Sequence, residues 1–388
     1  MKRIGVSNKL ILLVLVLSLI YSFGLVLNST VEPSRATAIK LSTSNPTGRF
    51  GHSMVFDESN QQLILFGGSA ANDGRSDLSD TWVFNCTSNK WIKLNPTSKP
   101  SGRMEHSMVY DSVNQQVILF GGWSDETWLF NPQSQQWTEV TSASAIHPSA
   151  RHSAGMYFDP VNEKAVLFGG FLENEDSAAD MWIFDPADNT WTEVTPSSKP
   201  AGRYGHSMVY DSVNQRGLLF GGRVTGLQSD TWAYDYSTNS WSSLYTASKP
   251  VKRYWHDAVF DSNKETMVIF GGDDEGPGRS RNDIWTFNVQ DDQWTELSPE
   301  NKPIPRMSPA MAYDSLNQRI ILFGGLGNDY SDSYNDLWAY DSINSNWTSL
   351  VETDNPGASL NPGFGLSLIF TGLMAIVSIK RWKGRKRS

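Results

Sequence analysis

Six arginines recur at intervals of about fifty residues, and each stands eighteen residues before a Gly-Gly pair. They are Arg49, Arg103, Arg151, Arg203, Arg253 and Arg306. A guanidinium presents a planar fork of donors that binds a carboxylate or a phosphate bidentately. Either the arginines form a cationic ring that takes an anionic ligand, or each pairs with a framework carboxylate and clamps the fold together. A group required in every repeat suits a framework better than one asymmetric ligand.

Histidine is the second residue type that could do chemistry. Four histidines follow a repeated arginine by three residues and two more lie near the third arginine, namely His52, His106, His206 and His256, then His147 and His152. A metal site needs ligands that converge, whereas equivalent positions of a repeat are held apart. The single cysteine, Cys86, excludes an intrachain disulfide. With no zinc motif, phosphate-binding loop or Ser-His-Asp order, we predict no catalytic, cofactor-binding or metal-ligating residue.

Acidic segments offer the remaining ligand chemistry. They lie at 72–77, 173–176, 273–275 and 329–332. Carboxylate oxygens suit Ca²⁺, but none of these segments has the spacing of an EF-hand loop. Solvated surface charge is the preferred interpretation, and Ca²⁺ stays a weak alternative.

The elements that must position these residues repeat with them. The glycine pairs are Gly67 and Gly68, Gly121 and Gly122, Gly169 and Gly170, Gly221 and Gly222, Gly271 and Gly272, Gly324 and Gly325. Two tryptophan sets stand nine residues apart: Trp82, Trp128, Trp182, Trp232, Trp285 and Trp338, then Trp91, Trp137, Trp191, Trp241, Trp294 and Trp347. Each unit predicts four short strands bounded by turn formers. We expect these glycines and tryptophans to be structural, with the indole rings in the core.

The combination of Phe-Gly-Gly, a variable loop, Asp-x-Trp-x-Phe-Asp and a second Trp resembles the kelch repeat. The resemblance spans Ala38 to Val351 and implies an all-β fold, a six-bladed propeller of four-stranded antiparallel blades. Kelch propellers include galactose oxidase, whose central domain this region resembles, and sugar-acid epimerases. The oxidase resemblance would require a Cys that crosslinks a Tyr at the site. Cys86 lies between strands three and four, on the face of the propeller opposite to the one where the variable loops lie.

The repeat departs from its own pattern at several positions. Ala154 and Pro309 replace the recurring histidine, and Glu126 stands where the other units have Asp. The segment 38–41 resembles a fourth strand, so either it or 347–350 completes the ring.

Antiparallel strands assign the connections to two faces. The turns between strands one and two and between strands three and four keep a constant length; we call their side the turn face. The other connections form the loop face, where the interval from the first Gly to Trp runs 15, 7, 13, 11, 14 and 14. Loops on a rigid scaffold commonly bind ligands. Besides the arginines, Trp123 and Trp255 are candidate binding residues on this face, because an exposed indole can stack on a sugar ring.

Apolar runs flanked by basic residues mark both ends. Residues 10–27 follow three basic residues and predict a signal peptide or a signal anchor. Residues 363–379 precede a basic tail and predict a transmembrane helix with the tail in the cytoplasm. The sequence 361–364 followed by these features resembles the PGF-type sorting signal of archaeal surface proteins, which implies replacement of the tail by a lipid anchor.

Charge and organisation complete the prediction. Residues 10–379 carry a formal charge of −18, which disfavours nucleic acid as a partner. The expected segments are a signal or anchor at 1–38, the propeller at 39–352, a linker at 353–362, the transmembrane helix at 363–379 and the tail at 380–388. We predict a propeller tethered to the cell membrane on its outer side, which binds a protein or glycan through the loop face. An extracytoplasmic carbohydrate-active enzyme and a structural envelope component are the alternatives, and enzymatic activity is left open with a preference against it.

Overall fold

The computed structural model describes residues 45–70, 76–141, 146–174, 176–276, 278–328, 330 and 332–350. Within these residues the strands form six four-stranded antiparallel sheets, each built from one sequence repeat in strand order one to four. We number these sheets blades 1 to 6, with strand one next to the central channel. This confirms the predicted all-β, six-bladed propeller of four-stranded blades.

The strand bounds follow the repeat. Blade 1 contains Ser53–Asp57, Gln62–Phe66, Thr81–Asn85 and Lys90–Lys93; blade 2 contains His106–Asp111, Gln116–Gly121, Thr127–Asn131 and Gln136–Glu139; blade 3 contains Gly155–Asp159, Lys164–Phe168, Met181–Asp185 and Thr190–Val194. Blade 4 contains Ser207–Asp211, Arg216–Phe220, Thr231–Asp235 and Ser240–Leu244; blade 5 contains Asp257–Asp261, Thr266–Phe270, Ile284–Asn288 and Gln293–Leu297; blade 6 contains Ala310–Asp314, Arg319–Phe323, Leu337–Asp341 and Asn346–Ser349. Two short ribbons, Ser69–Ala70 with Ser76–Asp77 and Arg151–His152 with Phe171–Leu172, lie on the loop face.

The hydrophobic cores lie between neighbouring blades. Strand two packs against a blade on each side, so its apolar run is continuous and fully buried, as in 63–66. Between blades 1 and 2, Phe66 packs in one cluster with Leu119, and between blades 6 and 1, Leu65 packs in one cluster with Ile321. The second tryptophan of each blade packs on the phenylalanine that directly precedes the Gly-Gly pair of the preceding blade. These rings are 4.9–5.3 Å apart in the pairs Trp91–Phe323, Trp137–Phe66, Trp191–Phe120, Trp241–Phe168, Trp294–Phe220 and Trp347–Phe270.

The turn face is constant because a buried carboxylate organises each first turn. In blade 1, Oδ1 of Asp57 accepts the N–H groups of Ser59 and Asn60 at 3.2 Å, and Oδ2 accepts the Asn60 side-chain amide at 2.8 Å. The aspartate is fully buried, so these donors replace the water it loses. The recurring Asp, followed by Asn three positions later in five of the six blades, therefore fixes the turn length.

The fourth strand of blade 6 comes from the second of the two segments that could complete the ring, 347–350. Strand four of blade 6 is Asn346–Ser349, paired with Leu337–Asp341 of the same repeat. The segment 38–41 lies outside the described residues, as do the signal or anchor, the linker, the transmembrane helix and the basic tail predicted at the two ends. Among the residues that are described, no helix has the length and apolar character needed to cross a membrane.

Candidate functional site

Each repeated arginine is buried and its guanidinium is bound within its own blade. In blade 4, Nη1 and Nη2 of Arg203 donate to Oδ1 and Oδ2 of Asp230 at 2.7 and 2.9 Å, and Nη1 also donates to the carbonyl of Gly221. The bidentate partners in blades 1, 3, 5 and 6 are Asp80, Asp180, Asp283 and Asp336. In blade 2, Arg103 reaches Glu126 through Nη2 at 2.5 Å. This geometry matches the framework interpretation of the arginines, because their donors are buried and used within the blade.

The same carboxylate also binds the first tryptophan of the blade. Trp232 Nε1 donates to Oδ2 of Asp230 at 2.7 Å. Burial alone would raise the pKa of Asp230, but the hydrogen bonds and charge of Arg203 hold that pKa below its ordinary value. The other five acidic partners are shifted in the same direction. Each blade therefore carries an ionised Arg-carboxylate pair capped by an indole.

The backbone of each arginine ties its blade to the preceding one. The N–H of Gly68 in blade 1 donates to the carbonyl of Arg103 in blade 2 at 2.9 Å, and the N–H of Gly325 donates to the carbonyl of Arg49 at 2.8 Å, which closes the circle. Gly67 has a φ of 68°, and a Cβ there would lie 2.7 Å from the Arg103 carbonyl oxygen. The Gly-Gly pair is therefore required by a left-handed conformation and a close approach between blades.

A closed ring of backbone hydrogen bonds surrounds the channel mouth. It is formed by the residue two positions after each arginine: Gly51, Glu105, Ser153, Gly205, Trp255 and Ser308. Each N–H donates to the carbonyl of its counterpart in the preceding blade at 2.6–3.0 Å, and the ring closes from Gly51 to Ser308. All six residues are left-handed, with φ between 47° and 65°. Because four of them are not glycine, the mouth holds backbone strain of the kind that concentrates at functional sites.

The side chains on this ring break the six-fold symmetry. Trp255 of blade 5 stacks on Tyr254 at 4.1 Å, and its Nε1 donates to Oγ of Ser153 in blade 3 at 3.3 Å. Tyr204 packs edge-on against Tyr254 at 6.2 Å, so aromatic rings fill the mouth above blades 4 and 5. The opposite half of the mouth stays open.

That open half is an apolar cavity of about 230 Å³, which we call the cup. Its lining comes from blades 1, 2, 3, 5 and 6 and consists of Phe50, Met104, Glu105, Trp123, His152, Trp255, Met307, Ser308, Leu326 and Tyr330. Glu105, Trp255 and Ser308 also line the channel below, so they form the floor between the two cavities. Blade 2 has the shortest loop, and Trp123 within it is 45% exposed at the rim.

A carboxylate is held at the floor of the cup. Oε2 of Glu105 contacts Nδ1 of His152 at 2.5 Å and accepts the hydroxyl of Ser153 at 2.5 Å. Trp123 stacks on the His152 ring at 4.1 Å. The serine donates to the glutamate and meets Nδ1 of the histidine at 3.0 Å, a geometry that differs from the Ser Oγ to His Nε2 contact of a hydrolase triad. The group therefore orients the Glu105 carboxylate.

The channel below the cup has a volume of about 210 Å³ and is lined by strand one of all six blades. Burial lowers the pKa of His106 and His206 to about 3, and their neighbouring arginines act in the same direction. Each of the four recurring histidines packs edge-on against a phenylalanine of the preceding blade, at 5.4–5.8 Å. Within the described residues, no group of three His, Cys, Asp or Glu side chains is arranged to hold a metal ion.

Residues 25–222 and 211–377 match the family model of the KLHDC2/KLHL20/DRC7 Kelch-repeats domain, which covers most of the chain. The chain belongs to the kelch-repeat family. It is 25% identical over 176 residues to Mei4-dependent protein 6 of Schizosaccharomyces pombe, and 28% identical over 204 residues to an F-box/kelch-repeat protein of Arabidopsis thaliana. The matches cover 44% and 48% of this chain but only 19% and 41% of those relatives' own lengths.

The kelch propeller brings some of the predicted site residues together and leaves others apart. Trp123 and Trp255 both line the cup, whereas the six arginines lie in the frame around it. The acidic positions Asp273 and Glu275 are joined to Arg279 and Arg223 in ion pairs on the loop face. Cys86 is buried near the turn face, where burial raises the pKa of its thiol to about 12.

Sequence reasoning missed Glu105 and gave His152 no role in binding. The signal that could have found Glu105 is positional, because the residue two places after each arginine alternates among Gly, Ser, Glu and Trp inside a repeat that is otherwise constant. A variable position within a constant motif marks a side chain that the framework does not require.

Substitution of Arg203 by Ala should distinguish a structural role of the repeated arginines from a role in ligand binding. We expect a loss of about 2–3 kcal/mol in the free energy of unfolding, because the fully buried guanidinium is removed and both the partly buried Asp230 and the Gly221 carbonyl lose their donor. Chemical denaturation measures this loss. Arg223→Ala is the matched control: its pair with Glu275 is 30% and 38% exposed, so the expected cost is about 0–1 kcal/mol. Equal costs for the two variants would contradict the clamp.

Asp257 in the channel wall should give a distinctive pH dependence. Burial raises its pKa to about 6, against the N–H groups of Met311 and Ala258, which lower it. The folded state then holds this proton more tightly than the unfolded chain, whose Asp pKa is about 3.9. Its contribution to the free energy of unfolding therefore falls as pH rises from about 4 to about 6. In denaturation series at several pH values, Asp257→Asn should remove that fall, whereas the exposed control Glu58→Gln should keep it. An unchanged Asp257→Asn profile would refute the assignment.

Proposed function

We propose that this kelch propeller is a protein-binding module displayed on the outer side of the cell membrane, with the loop face as its binding surface. The observation that carries the binding proposal is the cup, because it breaks the symmetry of an otherwise repeated frame. The loop face also holds the connections that vary in length, while the turn face keeps one turn geometry. Apolar surface with a few placed polar groups is the general character of a binding site.

A protein partner fits the cup better than a glycan chain. Its volume of about 230 Å³ is below the roughly 300–1,000 Å³ of sites that enclose a small molecule. The cup would therefore take one side chain of a partner, while the surrounding loops contact the rest. Exposed Trp123 at the rim is the residue type that is enriched where protein interfaces concentrate their binding energy.

Placement outside the membrane is proposed from the two ends of the sequence. An apolar run after three basic residues, and a second apolar run before a basic tail, give one orientation in which the propeller is exported. The formal charge of −18 over residues 10–379 disfavours nucleic acid as a partner.

Photocrosslinking in intact source cells tests the binding face. A photoreactive phenylalanine at Tyr245, 89% exposed on the loop face, or at Trp123 should yield a discrete protein adduct. The matched positions on the turn face are Val161 and Ile343, 57% and 62% exposed, and these should not. Adducts from the turn face alone would reverse the proposal, and adducts that glycosidases remove would indicate a glycan partner.

Lysine labelling tests the placement. A membrane-impermeant amine reagent added to intact cells should modify Lys99 and Lys249, which are exposed on the propeller. Lys383 and Lys386 in the tail should react only after the cells are permeabilised, or be absent from the mature protein. Protection of Lys99 and Lys249 in intact cells would contradict an exported propeller.

A further inference from the structure

The geometry of the cup points to its ligand: we propose that it holds one cationic side chain, lysine or arginine, of the partner protein. This inference rests on the proposed function, since it names what the loop face recognises. Four observations support it, namely a buried carboxylate, aromatic walls, the size of the cavity and the charge of the chain.

The first observation is the state of Glu105. Its side chain is only 10% exposed, yet its partners are the His152 ring and the Ser153 hydroxyl, both on Oε2. Among the described residues, no lysine or arginine forms an ion pair with this glutamate, and its hydrogen bonds to His152 and Ser153 both use one oxygen of the carboxylate. A buried carboxylate is costly until it is paired and hydrogen-bonded. A cationic guest would pair with a carboxylate that the fold has already oriented.

The second observation is the chemistry of the walls. Trp123, Trp255, Phe50 and Tyr330 present aromatic rings, and Met104 and Met307 add polarizable thioethers. Cations bind the faces of such rings, and the attraction grows when water is excluded. The mouth already uses this chemistry: the guanidinium carbon of Arg279 lies 5.4 Å from the Tyr330 ring centre, and that of Arg223 lies 5.6 Å from the Tyr254 ring centre.

Those two arginines do not neutralise the cup. Arg223 pairs with Glu275 and Arg279 with Asp273, so each guanidinium is matched by a carboxylate of the loops. Apart from Glu105 and His152, the residues that line the cup are uncharged. Glu105 at the floor is therefore the carboxylate in the lining of the cup, and its partners are His152 and Ser153 rather than a lysine or an arginine.

Size and long-range charge point the same way. A cavity of about 230 Å³ suits one long side chain rather than a whole small-molecule ligand. Residues 10–379 carry −18, a field that attracts basic segments and repels acidic ones. Complementary charge of this kind sets partner choice and association rate.

Titration with blocked peptides tests the proposal. The full chain in detergent micelles, ¹⁵N-labelled at the indoles, is titrated with nine-residue Gly-Ser peptides whose central residue is lysine, arginine, norleucine or glutamate. Trp123→Phe and Trp255→Phe assign the two indole resonances. Lysine and arginine peptides should shift both, with a Kd at least tenfold lower than the norleucine peptide. The glutamate peptide should give no shift.

The variant Glu105→Gln keeps the size of the side chain and removes its charge. It should raise the Kd of the lysine and arginine peptides about tenfold or more and leave the norleucine peptide unchanged. The matched control is Glu173→Gln, an exposed carboxylate on the loop face outside the cup, which should leave every Kd unchanged. Trp123→Ala tests the wall independently at an exposed position and should weaken the cationic peptides as well. Thermal melting of each variant verifies that it is folded.

Several results would overturn the proposal. Equal binding of norleucine and lysine would show an apolar cup without charge selection, and preference for glutamate would reverse its sign. Peptides that shift neither indole would show that the cup is no binding site. If Glu105→Gln leaves the photocrosslinked adduct at Tyr245 intact, the loop face binds protein without the cationic anchor. If no loop-face position gives an adduct even with Glu105 in place, the proposed function itself is rejected.

Discussion

The ring depends on one arrangement that recurs in every blade. The side chain of a buried arginine pairs with a carboxylate of its own blade, and its carbonyl accepts a hydrogen bond from the preceding blade. The guanidinium of Arg203 holds Asp230 at the start of strand three, while its carbonyl accepts the N–H of Gly170 from blade 3. A buried ion pair gives little net stability, because both ions lose water. The pair does fix the start of strand three within its own blade, because removal of either partner leaves an unpaired charge. The hydrogen bond from the Gly170 N–H to the Arg203 carbonyl then sets the position of that blade relative to blade 3.

Because main-chain hydrogen bonds hold the ring at the channel mouth, the side chains at these positions can differ between blades. Each residue of the mouth ring is joined to its counterparts in the adjacent blades by its N–H and C=O groups, so the ring accepts Gly51 in blade 1 and Trp255 in blade 5 with the same left-handed backbone. Glycine adopts this conformation without strain, whereas Glu105 and Trp255 do so at a cost. Glycine would relieve that cost at both positions, so the backbone conformation does not select these two side chains.

Sequence reasoning reached the frame because the frame repeats. Six copies of arginine, Gly-Gly and paired tryptophans specify strand order, blade number and the constant turns. The cup could not be predicted in the same way, since it arises where the copies differ and where distant blades meet across the axis. Trp255 and Ser153 are 102 residues apart in the chain and touch only after the ring closes. Even within the frame, contacts depend on the neighbouring copy: Trp294 Nε1 finds Thr231, whereas Trp347 faces blade 5, where Ile284 occupies the corresponding position.

The position of the cup follows from two local departures that meet on one side. Blades 4 and 5 place Tyr204 and Tyr254 beside Trp255, and these packed rings fill their half of the mouth. The opposite half of the mouth contains the flexible side chain of Met104. The loop of blade 2 between the Gly-Gly pair and Trp128 is the shortest of the six, with an interval of 7 residues, and is too short to cover this half. Within this opening the floor carries Glu105 rather than a neutral residue, so a cavity created by missing bulk also acquires a charge. A site that anchors a partner's side chain needs an open cavity and a charged group at its floor. The cup has both, and the propeller fold requires neither.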